Sequence, residues 1–150
     1  MKSPLVLLLA LTLPLLPARS QGEAPASEAS SAEADARNSV LELAGAFSND
    51  GYKIRDGFWF SELEPGASSV VQVNLFAGNE YWFCAAANPP ASKISVTVYD
   101  ESGAVIDQQE YRDGPRAAAG VVAGRSGPFF VKVTLVEGEK APFCLLYCYK

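Results

Sequence analysis

The chain reads as an all-β protein, an antiparallel β-sandwich of jelly-roll type with about eight strands, preceded by one amphipathic helix. Three observations predict it. From Tyr52 to the C-terminus apolar residues recur at a period close to two, the spacing that puts alternate side chains on one face of a strand. Clusters of Gly, Pro, Asn and Asp interrupt that pattern at short intervals, as tight turns require. No helical segment separates the strands, which excludes a parallel α/β arrangement.

Residues 1–20 read as a signal peptide. Lys2 supplies the positive start, Leu5 to Leu16 is apolar apart from Thr12 and Pro14, and Ala18-Arg19-Ser20 puts small residues before a cut at Gln21. A spanning helix needs roughly 20 apolar residues, and this run is shorter and broken by Pro14. No cysteine precedes Cys84 to carry a lipid at the cleavage site, and no later stretch is long and apolar enough to span a bilayer. The expected product is periplasmic or secreted, without a transmembrane anchor after signal cleavage.

Cleavage sharpens the charge. Loss of Lys2 and Arg19 takes the basic residues from 12 to 10 against 17 acidic ones, and the net charge from −5 to −7. Nucleic acid is therefore not an expected partner, because it rewards clustered Lys and Arg. Residues 21–31 (QGEAPASEASS) are small and polar; they bury too little to offset ordering entropy and read as a flexible linker. Ser30 with Glu33 fits a capping box, and Ala36, Val40, Leu43, Ala44 and Phe47 recur at helical spacing before Asn49-Asp50-Gly51. A helix over about 33–48 follows, joined to the strands in one domain, 32–150.

The strands then follow in order. Phe58 to Leu63 ends at Pro65-Gly66, and Val71, Val73 and Leu75 alternate with polar residues before Ala77-Gly78-Asn79. Glu80 to Ala87 stops at Asn88-Pro89-Pro90, and Ile94, Val96 and Val98 alternate up to Asp100-Glu101-Ser102-Gly103. Ala104 to Tyr111, Ala117 to Ala123, Phe129 to Val136 and Ala141 to Tyr149 complete the set.

Three stretches, LFAGNEYWFCAAA, SVTVYDESGAVID and RSGPFFVKVTL, resemble the rhythm of bacterial pre-peptidase C-terminal (PPC-like) β-sandwich domains. The resemblance rests on Tyr81 and Phe83, on Val98-Tyr99-Asp100 with Gly103, and on Gly127 with Phe130, Val131 and Val133. It runs from Glu62 to Tyr149, with Phe where the family usually has Tyr. What it implies is an accessory or adhesion-type module, sometimes calcium-binding, usually beside a secreted hydrolase. This chain departs in having a helix before the sandwich and no catalytic segment within its 150 residues.

The sequence contains no histidine, so His-based triads, Cys-His nucleophile pairs and His-containing zinc sites are excluded. The three cysteines are Cys84, Cys144 and Cys148. The last two share a strand and lie ~13 Å apart when extended, too far to bond each other. The expected disulfide joins Cys84 with Cys144 or Cys148, closing a loop of about 60 residues for roughly 3–4 kcal/mol. The third thiol is expected to be buried and inert.

Asp100 opens a turn, where its side chain bonds backbone amides. Together with Glu101 and Asp113 it offers loop oxygens for a calcium ion, although no D-x-D-x-D-G pattern occurs and no cofactor is expected. Trp59 and Trp82, each flanked by aromatics, alternate in facing with their neighbours. Exposed beside Tyr99, they would stack on sugar rings or hold a peptide; alternatively the helix covers whichever face is left, which explains helix and tryptophans together. No G-x-S-x-G elbow, P-loop or dinucleotide fingerprint is present. The expected function is a non-enzymatic module binding a protein or carbohydrate at the cell envelope; the alternative is a carboxylate-based hydrolase of extracellular polymers.

Overall fold

The structure, a computed structural model, describes residues 24–90 and 92–150. The signal peptide reading, and residues 21–23 of the linker, lie outside the described residues. Helix α1 (Ala24–Ser48) comes first, then nine strands: β1 (Lys53–Ile54), β2 (Trp59–Leu63), β3 (Ser68–Leu75), β4 (Glu80–Ala87), β5 (Lys93–Tyr99), β6 (Gln109–Asp113), β7 (Arg116–Val122), β8 (Gly127–Glu137) and β9 (Ala141–Tyr149). They pair antiparallel in two sheets. The larger runs β1-β9-β4-β7-β6, with β2 also on β9; the smaller runs β3-β8-β5.

Residues 24–31 are helical rather than a linker. Their Ala and Glu content favours helix, and Pro25 falls in the first turn, where its missing N–H costs nothing. Ser30 and Glu33 consequently sit inside the helix instead of capping it. The C-terminus closes as the sequence indicates: Asp50 N–H bonds Phe47 O, Gly51 N–H bonds Ser48 O, and Gly51 takes φ +87°.

Odd and even positions of the large sheet enter different layers. Tyr81, Phe83, Ala85, Ala119, Phe143, Leu145 and Tyr147 face the small sheet, where Val96, Val98, Val131, Val133 and Leu135 complete one core. Cys84, Ala86, Ala118, Cys144, Leu146 and Cys148 face the other way, against Ala36, Val40, Leu43 and Ala44 of α1. Small sheet residues let the helix approach closely, and fully burying one side chain such as Val40 contributes about 1.5–3 kcal/mol. The molecule therefore has three layers: helix, six strands, three strands.

Trp82 belongs to the helix layer. Its ring stacks on Phe47 at 4.4 Å and 17°, and it lies flat over Gly120, its partner across β4 and β7. The segment 104–108 also departs from the continuous strand expected there. Val105 bridges Tyr99, Ile106 N–H bonds Val98 O, and Gln108 Oε1 accepts the Val98 N–H. This stretch covers the open edge of β5 before β6 joins the other sheet.

A Cβ built on Gly120 would lie 2.7 Å from the Trp82 ring, whereas one on Gly45 of α1 meets nothing within 4 Å. Gly120→Ala is expected to lower the urea midpoint, by about 1–3 kcal/mol of overpacking, and to change the tryptophan near-UV signal. Gly45→Ala is expected to raise that midpoint by about 0.5–1 kcal/mol.

Candidate functional site

Three strands of sheet cannot cover six. Where the large sheet extends past β3, its inward face opens into a cleft of ≈ 250 Å³. Tyr81, Tyr147 and Tyr149 supply one wall, while Asn74, Phe76 and Asn79 come from the end of β3 and the following turn. Beneath lies a continuous aromatic cluster: Tyr147 sits 5.3 Å from Phe83, 6.0 Å from Tyr81 and 6.1 Å from Trp59 between ring centroids.

Arg55 reaches this cleft because the edge beside β9 is interrupted. Ile54 pairs with Cys148 and Trp59 with Leu145, so residues 55–58 stand opposite only 146–147. The extra residues bulge outward, helped by Gly57 at φ +99°, and such bulges re-aim side chains. Arg55 N–H bonds Tyr147 O at 3.0 Å, and the guanidinium donates to the Tyr147 hydroxyl while lying 5.3 Å from its ring centre. Among the described residues Arg55 has no carboxylate partner. The Tyr81 hydroxyl accepts from Phe76 N–H at 2.9 Å and from Asn79 Nδ2 at 3.4 Å, which leaves its own proton available. Phe76 is 66% exposed at the rim.

On the other side of β4 a second hollow of ≈ 230 Å³ includes Glu80 and Asp107 together with Tyr52 and Gln108. The Tyr52 hydroxyl donates to Glu80 Oε2 at 2.6 Å, and Lys150 Nζ is 3.4 Å away. That Tyr52 hydrogen bond holds the Glu80 carboxyl below its ordinary value. Asp100 is likewise lowered, by the Ser102 hydroxyl at 2.6 Å and the Ala104 N–H at 3.0 Å; its role is the turn.

The residues singled out from the sequence do not converge. Trp59 faces the core between the sheets, Trp82 faces α1, and Tyr99 faces out from β5 with Lys132 5.1 Å from its ring. The helix packs on Trp82 through Phe47, and the rest of its ring lines the second hollow. Glu101 pairs with Arg125 and Asp113 with Arg116, and among the described residues no three metal-ligating side chains gather. Asp100, Glu101 and Asp113 are thus each engaged by other groups: the Ser102 hydroxyl, Arg125 and Arg116. The three thiols are free and buried, all on the helix side of the large sheet. Arg55 escaped the sequence reading, although Asp56-Gly57, a turn signal beside a strand, marks the bulge that places it.

No protein-family model matches this chain, and no curated protein matches its sequence. Among the described residues no helix is long and apolar enough to cross a membrane.

Glu80 generates a pH dependence. Its carboxyl is lower in the folded chain, so the unfolded chain binds more protons between the ordinary glutamate value and the lowered one. The contribution is present above that window and lost as pH falls through it. Melting temperatures measured from about pH 6 to pH 3 should fall less steeply in Glu80→Gln than in the parent.

Proposed function

We propose that this chain is an exported, non-enzymatic β-sandwich module that binds a glycan at the cell envelope through the Arg55–Tyr149 cleft. The observation that carries this reading is Arg55, a guanidinium that has no carboxylate partner among the described residues and is held over a tyrosine-lined cleft. Flat rings with polar tips suit a sugar face in a wet site, Asn74 and Asn79 add amide donors and acceptors, and an unpaired guanidinium suits a sugar carboxylate. The resemblance to PPC-like accessory domains agrees with a binding role. The scattered acidic surface argues against nucleic acid.

The hydrolase alternative would rest on Glu80 and Asp107 in the second hollow. A glycosidase needs one carboxyl with a raised pKa to protonate the leaving group, and Glu80 is displaced downward. Glu80 is thus suited to hold Tyr52 and Lys150 in place, not to deliver a proton.

Titration calorimetry with uronic-acid oligosaccharides, neutral oligosaccharides and short acidic peptides tests the proposal. Binding of the uronate ligands is expected, weakened about tenfold or more in Arg55→Ala, since hydrogen bonds to charged groups contribute about 1.5–3 kcal/mol. Tyr149→Ala should weaken it as well. Absence of binding to every oligosaccharide, affinity indifferent to Arg55, preference for the peptides, or cleavage of the ligand that Glu80→Gln abolishes would each overturn it.

A further inference from the structure

A sheet edge is a row of unused backbone donors and acceptors, and proteins usually blunt it with charge, proline, a bulge or a covering segment. Three of the four edges here are blunted in that way. β6 carries Glu110, Arg112 and Asp113, and residues 104–108 cover β5. The edge formed by β1 and β2 is short and broken by the bulge at 55–58. β3 is the exception. Its sequence, SSVVQVNL, contains no charge and no proline, and it pairs with β8 alone.

The parity of that pairing fixes which groups are unused. Leu135 N–H bonds Ala67 O at 3.0 Å, so the closely spaced pairs continue at Ser69–Val133, Val71–Val131, Val73–Phe129 and Leu75–Gly127. Pro128, which has no N–H, accordingly stands opposite Asn74, where none is needed. Ser68, Val70, Gln72 and Asn74 therefore turn their N–H and C=O groups to the open side. Phe76 is next in that series, and its N–H donates to the Tyr81 hydroxyl at 2.9 Å, away from β8.

We propose that this edge takes up an extended, neutral segment of another polypeptide, which becomes a fourth strand of the small sheet. The backbone pattern calls for a strand, and the margin beneath it selects the side chains. Trp59 of β2 and Ala67 and Val71 beside it are only partly buried against the core, where β2 comes close to β3. Every second side chain of an added strand points onto that apolar margin, so apolar residues belong there. The paired stretch is neutral because β3 offers no charge to meet one. A second copy of this chain fits less well. Antiparallel edge-to-edge pairing would keep both large sheets on one side, where each extends past its own β3 and the two would meet. Main-chain bonds then supply affinity, and the alternate side chains supply specificity. The inference does not rest on the Arg55 cleft, since backbone groups of β3 carry it.

The test is selection of binders to the full chain from a display library of random peptides, followed by amide chemical-shift mapping with a selected synthetic peptide. Apolar residues at every second position are expected, with shifts concentrated at Val70, Gln72 and Asn74. Methylating the peptide amides one at a time should weaken binding about tenfold at alternate positions and little between them, because only every second amide faces β3. Gln72→Pro removes one outward donor and should weaken binding similarly. The methylation scan carries the result even where that variant fails to fold. A library that yields no binder, shifts remote from β3, methylation effects without alternation, or self-association of the chain that Gln72→Pro abolishes would each overturn the proposal.

Discussion

The large sheet is apolar on both faces, and the rest of the architecture answers that constraint. Along β4 the stretch WFCAAA leaves no charged side chain on either side, and LLYC near the end of β9 does the same. Such a sheet cannot present one face to water as most antiparallel sheets do. The small sheet covers the odd positions and α1 covers the even ones. The helix is therefore one of the layers closing the core, and the small residues Ala86 and Ala118 lie where it packs on the sheet.

Much of this was legible in the chain. The helical stripe Ala36, Val40, Leu43, Ala44 names the buried face of α1, and β4 and β9 begin and end at the residues that the flanking turn signals mark. Those signals are local, and burial periodicity carries them. What the sequence left open depends on long-range pairing. Trp59 and Trp82 look equivalent, yet one packs between the sheets and the other under the helix, because β2 and β4 meet β9 with independent parity. The start of α1 was hidden because small polar residues serve a linker and a helix end about equally well.

The cleft follows from a mismatch in width. Six strands against three leave part of an inner face uncovered, and a bulge at residues 55–58 turns Arg55 into that gap. A period-two pattern cannot announce a bulge, since two extra residues restore the parity on either side. The aromatic floor, in contrast, is core that runs out to the surface. Its rigidity is inherited from packing, so the tyrosines beside Arg55 are held in place, which would reduce the ordering cost of the proposed binding.

The central claim is that α1 and the large sheet form one cooperative unit. Amide hydrogen exchange of the full chain, compared with Ala44→Asp, tests it most directly, because Ala44 is fully buried against the sheet. The account predicts that β4, β7 and β9 lose protection together with α1 when that charge is introduced, since a buried unpaired carboxylate forces the layers apart. If α1 alone exchanged faster while β4 and β9 kept the protection of the parent, the helix would be an ornament on a self-sufficient sandwich and the account would be contradicted.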